Sequence, residues 1–444
     1  MNLNRTLMKD LFLWKNDMGR KPLIIRGARQ VGKTNLTRQF GNQYFKSLID
    51  INLEKPEHLK IFGNVESIED FEKKVQLFFH QSLIPGETLL FIDEIQESSN
   101  LLTMLRFFAE ERPSLHVIAA GSLLEAVIGK GWSIPVGRVD YRFLYPLTYF
   151  EFLQAIGQNE LFQNLDKIDL KVDQVVHEQA TKYFREYLIT GGLPEIVVKY
   201  ADSHDFLALR PIYDRLQLSY LDDVKKYTST STAVYVQAML TYGPKRAGEL
   251  IVFENFMDLG YRSREIAEAA TLIEKIMILN QILSINSTVI PLTPKIKRSR
   301  KLIWLDVGLV NSVNDTYSEL ASHEYSGKLL EQVVGQTLIA SQSNNKKPNI
   351  YYWSRNRDEG SAEVDFCYQL KEKIIAVEVK SGQYYQMRSL MSLAEISPDT
   401  VLVRTSFDPI GTEVWQSNNQ KHQVLSVPVY MLERLNQIVE TQLK

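Results

Sequence analysis

The chain is predicted to be an α/β protein in several parts. A doubly wound parallel sheet opens it, a largely helical middle follows and ends in a strand pair, and a second α/β unit closes it. Three observations predict this. From Lys21 to about Ser122 strand-like apolar runs alternate with helix-like runs, the pattern of a parallel sheet covered by helices. From about Thr148 to Thr228 the spacing becomes helical, with one break at "TGGLPE". After about Thr316 strands and helices alternate again, in a unit set apart by that helical middle.

Taken in order, "PLIIRG" is a buried strand running into a glycine turn, and "KTNLTRQF" is a helix. "SLIDINL" is a second strand, and "ESIEDFEKKVQLFFHQSL" a helix whose apolar residues share one face. "TLLFIDEI" is a third strand, "LLTMLRFFAEE" a helix and "LHVIAAGS" a fourth strand. Beyond the helical middle, "STVIPLTPKIKRSRKLIWLDVGL" reads as a two-stranded wing with a basic turn. The last region runs helix "GKLLEQVVGQTLIASQ", strand "NIYYWS", then the strand pair in "EVDFCYQLKEKIIAVEVKSG". The expected domains are residues 1–156, 157–231, 232–315 and 316–444.

Composition narrows the class. The 444 residues are 44% apolar and 23% charged, as in soluble globular proteins. The net charge of −2 means that a nucleic-acid partner requires a local basic surface. A single cysteine, Cys367, excludes an internal disulfide framework and fits a reducing compartment. "MNLNRTLMKDLFLWKND" reads as an amphipathic helix and not a secretory signal. No uncharged run approaches the roughly 18 residues of a membrane span. A cytoplasmic protein without a membrane partner is expected.

The first chemical motif is "GARQVGKT", Gly27 to Thr34, which matches G-x-x-x-x-G-K-[ST]. Gly27 and Gly32 let the backbone of Ala28, Arg29, Gln30 and Val31 wrap phosphate oxygens. The helix starting near Lys33, with Asn35 in its first turn, aims its positive end at the same anion. Lys33 is expected to reach the β- and γ-phosphates of ATP, and Thr34 to bind Mg²⁺. About 60 residues on, "LLFIDEI" ends in Asp93 and Glu94. Asp93 is expected to hold the Mg²⁺ and Glu94 to polarise the attacking water. Ser122, closing the fourth strand, is either a sensor of the γ-phosphate or a helix cap. Arg138 and Arg142 follow; an arginine there can stabilise transition-state charge, although Arg142 reads better as a surface or salt-bridge residue.

"GARQVGKT", "FIDEIQ", "AAGS", "GR…YPLTYFEFL", "GGLPE" and "EVDF…VEVKSG" occur in one order. Together they resemble the prokaryotic AAA+-type ATPases that carry a C-terminal domain of unknown function with a PD-(D/E)xK nuclease-like fold. The resemblance spans nearly the whole chain. It implies that Arg138 is a sensor or a finger acting in trans, and hence a homo-oligomer, a hexameric ring being one form. It also implies a winged-helix segment in the middle. "SREIAEAA" would be its first helix and "TLIEKIMILNQILSI" its recognition helix, although the latter is too apolar to read bases. The basic turn, with Lys295, Lys297, Arg298, Arg300 and Lys301, is the better candidate for phosphate contact with duplex or branched DNA.

In the C-terminal part, nucleases of that signature place an Asp on one strand and Glu-x-Lys on the next. Here these are Asp365, Glu378 and Lys380, and period-two alternation puts Glu378 and Lys380 on one face. Glu331 falls where the resemblance places a helical glutamate. The set implies a second divalent ion on carboxylate oxygens, with Lys380 steadying the developing phosphorane charge. Three functions follow as alternatives. One is a Mg²⁺-dependent, DNA-stimulated ATPase that remodels or translocates on DNA. Another is an ATP-licensed, metal-dependent DNA nuclease of defence or repair. The third is a nucleotide-switch scaffold for protein partners.

Overall fold

The computed structural model describes residues 3–442 except 125–131, 133–134, 168–171, 228, 255, 257–259, 317–322, 343, 356–361, 382–386 and 418–419. The chain forms two compact units. The first comprises residues 1–146, 275–278 and 343–347, and the second residues 147–274, 279–342 and 348–444.

The first unit is built on five strands: β1 (Leu23–Arg26), β2 (Ser47–Asn52), β3 (Thr88–Asp93), β4 (His116–Gly121) and β5 (Asp140–Phe143). Their order is β2-β3-β4-β1-β5, and every neighbouring pair is parallel. β3 and β4 are buried at every residue, which is why they read as continuous apolar runs and not as alternations. Helices Lys33–Tyr44, Ile68–Phe79 and Ser99–Glu111 make the connections. Ser67 and Ser98 start the last two by accepting from the N–H groups of Asp70 and Leu101, replacing partners that a helix end lacks. Phe62, Phe71, Phe108, Leu101 and Leu105 pack under β2 to β4 in one core, each such side chain contributing about 1.5–3 kcal/mol by leaving water. Four strands are anticipated by the sequence; β5 is not, because its partly exposed, arginine-bearing residues lack an apolar run.

The second unit joins a helical part to a nine-stranded sheet. The helices are Tyr149–Ala155, Asn159–Asp166, Gln174–Thr190, Pro194–Ser203, Arg210–Tyr227 and Thr230–Tyr242. The strands are β6 (Leu250–Ile251), β7 (Leu279–Ile285), β8 (Arg300–Trp304), β9 (Ile350–Ser354), β10 (Glu363–Leu370), β11 (Lys373–Val379), β12 (Val401–Ser406), β13 (Gly411–Ser417) and β14 (Gln420–Pro428). The order is β13-β14-β12-β11-β10-β9-β7-β8-β6. Helix Val307–Val313 follows β8, and helix His323–Ala340 leads toward β9.

"TGGLPE" breaks the helices for a physical reason. Gly191 has φ +68°, and a Cβ on it would lie 2.1 Å from Asp306 Oδ1. Asp306 is fully buried. It accepts from Gly192 N at 2.6 Å and, as the cap of Val307–Val313, from Leu309 N at 3.1 Å. Burial pushes its carboxyl up to about 6 against these hydrogen bonds.

The expected recognition helix is not formed. The helix that begins at Ser263 ends at Lys275, Met277 has φ +62°, and Leu279–Ile285 is strand β7. An apolar run rich in isoleucine suits a half-buried pleat, and periodicity alone does not distinguish it from a buried helix. β7 pairs antiparallel with β8, but of these two strands only β8 falls within the stretch expected to form the wing, and β7 also pairs parallel with β9 from Leu283↔Tyr351 to Ile285↔Trp353. The sheet therefore runs across the boundary expected at 315/316. Among the described residues no helix is long and apolar enough to cross a membrane.

Candidate active site

The loop expected to bind phosphate follows from what each residue allows. A Cβ on Gly27 would lie 2.4 Å from the Leu144 carbonyl oxygen, so only glycine permits this close approach. Gln30 (φ +66°) and Gly32 (φ +96°) turn the chain through the left-handed region. Helix Lys33–Tyr44 then starts on Gly32 with no side chain capping it, which leaves its positive end to an anion. Lys33 is buried, and its Nζ donates to Gly27 O at 3.0 Å and Ala28 O at 2.8 Å. The ammonium thus sits inside the ring of the loop. Arg29 pairs with Glu54 at 3.2 Å, while Gln30 and Asn35 are exposed. Arg5, which sequence reasoning missed, holds the loop from behind: its Nη1 donates to Val31 O at 2.9 Å and its Nη2 to Tyr145 O at 2.6 Å. Nothing local marks a lone arginine near a chain start for that task.

Strand order brings the other candidates to this loop. β4 lies between β1 and β3, so Ser122, just past β4 and buried, sits between the loop and Asp93. Thr34 Oγ1 donates to Asp93 Oδ2 at 2.7 Å. Burial pushes the Asp93 carboxyl up to about 6, against the Thr34 hydrogen bond. Glu94 leaves β3 with φ +54°, a left-handed conformation that costs a non-glycine residue about 1–2 kcal/mol. Its Oε2 accepts from Gln96 Nε2 at 2.6 Å. A Cβ on Gly121 would lie 2.5 Å from Gln96 Oε1, so glycine there makes room for the buried amide that orients Glu94. The "Q" of "FIDEIQ" is thus a second residue whose task was not read from sequence. The hydroxyl of Thr34 and the carboxylate of Asp93 are hard oxygen donors that suit Mg²⁺, which, when bound, neutralises phosphate charge.

Arg138 stands elsewhere. Asp140 is level with Leu23 at the start of β1, and Phe143 with Arg26 at its end. At about 3.3 Å per residue, Arg138 lies on the order of 15 Å short of the loop end of the sheet. It pairs with Glu110 at 2.7 Å, at the end of a helix that begins just past the other edge. A role for Arg138 in its own chain's site is therefore corrected: the parallel pairing carries it to the wrong end. Arg142 donates to Tyr141 O at 2.8 Å.

The C-terminal set lies within the second unit. Asp365 on β10 and Glu378 on β11 face each other across the strand pair, by the register that opposes Phe366 and Val377. Glu331 comes from helix His323–Ala340. Asp365 and Glu331 are brought together, but on a lysine: Lys301 Nζ lies 2.8 Å from Glu331 Oε2, 2.9 Å from Asp365 Oδ1 and 3.6 Å from Glu363 Oε1. Lys380 Nζ donates to Glu378 Oε1 at 2.7 Å. Burial, then the nearby Asp365 charge, pushes Glu378 up to about 8 and Glu331 up to about 7. Among the described residues no group of three or more His, Cys, Asp or Glu side chains could hold a metal ion. The residues do not fit the second divalent ion that the sequence implied.

Lys301 is accordingly corrected as a DNA contact. Its side chain is 1% exposed, because β8 runs between β7 and β6 and directs it into the carboxylates. Arg298 donates to Ser354 Oγ at 2.7 Å and Arg355 O at 3.0 Å. Arg300 donates to Gln281 Oε1 at 2.7 Å. Lys295 and Lys297 are exposed.

Residues 19–153 match the family described as an AAA domain. Residues 181–320 and 326–430 match two families described as domains of unknown function, DUF8612 and DUF4143. No match to a curated protein was found. Among solved structures, the Thermotoga maritima RuvB Holliday junction branch migration motor is 14% identical, covers 63% of this chain and 90% of its own, and has a TM-score of 0.30. A STAND-type signal-transduction ATPase with a tetratricopeptide repeat sensor from Pyrococcus horikoshii is 12% identical over 77% of this chain and 46% of its own, with a TM-score of 0.28. The Pif1 helicase from Candida albicans is 16% identical over 41% and 48%, with a TM-score of 0.23. All three likenesses are remote. The first unit carries an AAA-type ATPase domain.

Proposed function

We propose that the chain is a Mg²⁺-dependent ATP hydrolase whose turnover is coupled to DNA. The observation that carries the hydrolase is the joint placement of Lys33, Thr34, Asp93 and Glu94 at one end of a parallel sheet. Lys33 leaves its own loop carbonyls for phosphate oxygens. Thr34 and Asp93, already hydrogen-bonded, supply the cation's oxygen ligands. Glu94, tied by Gln96, takes the proton of the attacking water. Ser122 lies between them, where it can donate to the same water or to a phosphate oxygen.

The coupling to DNA rests on less: the exposed Lys295 and Lys297 on the turn between β7 and β8, a sequence-independent phosphate contact. Arg138 serves a neighbouring copy in an oligomer, a reading supported by its half-exposed position out of reach of its own site. The test is the steady-state ATPase rate of the whole chain alone and with single-stranded, duplex and branched DNA. Stimulation that is lost in Lys295→Glu/Lys297→Glu is expected. A rate indifferent to every DNA form sinks the DNA part and leaves a nucleotide-switched scaffold. The absence of any Mg²⁺-dependent ATP turnover sinks the whole.

A further inference from the structure

The C-terminal carboxylates ask what neutralises them. Glu331, Glu363, Asp365 and Glu378 lie together, and each burial that separates them from water raises the need for a positive charge. That charge is already present. Lys301 reaches the cluster from β8, and its ammonium has three N–H donors facing Glu331 at 2.8 Å, Asp365 at 2.9 Å and Glu363 at 3.6 Å. Its stem runs against Phe366, whose ring centre is 5.2 Å from Nζ. Asp365 is engaged at both oxygens, since the second, Oδ2, accepts from Val379 N at 2.8 Å. On the far side, Glu378 gives one oxygen to Lys380, and its other, Oε2, is buried with no hydrogen-bond partner.

We propose that Lys301 is a resident cation that fills the position between Glu331 and Asp365, so that this cluster takes up no divalent ion and performs no metal-dependent cleavage. A divalent ion bridging those two side chains requires oxygen atoms at about 2.0–2.6 Å, and the ammonium occupies that space. The two cations exclude each other sterically and by charge. Lys301 also has no route out: it is 1% exposed and fixed by backbone pairing on both sides, to Ile282 of β7 and Leu250 of β6. The ion pairs thus tie helix His323–Ala340 to β8 and β10 through a buried ammonium.

The test uses the whole chain without nucleotide, carrying Thr34→Ala and Asp93→Asn to silence the first unit's site, with Mn²⁺ as the probe. Free Mn²⁺ is measured by electron paramagnetic resonance and unfolding by melting temperature. With Lys301 present, no stoichiometric site and no change in Tm with Mn²⁺ are expected. Adding Lys301→Ala is expected to create one Mn²⁺ site and a Mn²⁺-dependent rise in Tm of several degrees, both removed by Asp365→Asn. If that variant does not fold without metal, folding rescued by Mn²⁺ supports the inference equally. Lys301→Met, which keeps the apolar stem, is the second variant. A Mn²⁺ site in the chain with Lys301 intact, abolished by Asp365→Asn, overturns the inference. So does the failure of folded Lys301→Met or Lys301→Ala protein to bind Mn²⁺.

Discussion

The molecule contains two places where a lysine meets acidic groups at a strand end, and they are arranged in opposite ways. In the first unit Lys33 donates to two backbone carbonyls, while the Asp93 carboxylate accepts from the hydroxyl of Thr34 and the N–H of Glu94. Those hydrogen bonds are to neutral groups, at the end of the sheet where a phosphate and a cation are expected. In the second unit Lys301 rests on the carboxylates themselves. The difference explains why a complete set of residue types signals readiness in one place and closure in the other.

The comparison breaks most easily through catalysis. Glu94→Gln is expected to lower ATP turnover by about 10²–10⁴-fold, the usual contribution of a positioned base, with nucleotide binding retained. Glu378→Gln is expected to leave turnover unchanged. An equal loss from both would abolish the distinction.

Stability separates the two lysines next. Lys301→Met removes one side of a buried ion cluster and is expected to destabilise the chain by about 3 kcal/mol in denaturant unfolding. Lys33→Met is expected to abolish ATP binding with little change in stability. A third contrast is in pH. Burial pushes Asp93 up to about 6, and burial together with the Asp365 charge pushes Glu378 further, up to about 8. A carboxyl raised on folding binds a proton that the unfolded chain has released. Its contribution is therefore full below the unfolded value of 4.5 and is lost as pH rises through about 8. The slope is at most about 1.4 kcal/mol per pH unit, and Glu378→Gln is expected to flatten it in melts between pH 5 and pH 8. The smallest effect is expected from Gln96→Ala, which frees the Glu94 carboxylate to rotate. A loss in kcat of about tenfold with KM unchanged would mark Gln96 as a positioning residue.

The first site was legible because its chemistry is local. Eight consecutive residues form the loop, and a strand that must be buried on both faces delivers Asp93. The second site was only half legible. Residue types singled out Asp365, Glu378 and Glu331, yet Lys301 read as a phosphate contact in a basic turn. Its destination depends on β8 lying between β7 and β6, a pairing between distant segments that no nearby residue encodes. β7 itself was misread for the same reason, since an unbroken apolar run is compatible with a helix until its sheet partners are known. Arg5 and the pair Gly191–Asp306 likewise act across the sequence, where spacing says nothing.

The parallel seam between β7 and β9 has a practical meaning for anyone who would dissect the chain. A piece beginning at residue 316 would carry β9 to β14 but leave behind β7, β8 and Lys301. β9 would then present a bare edge, a template for strand-to-strand association between copies, and Glu331 and Asp365 would face solvent without their ammonium. Such a fragment is expected to self-associate and to attract divalent ions. Both would be products of the cut.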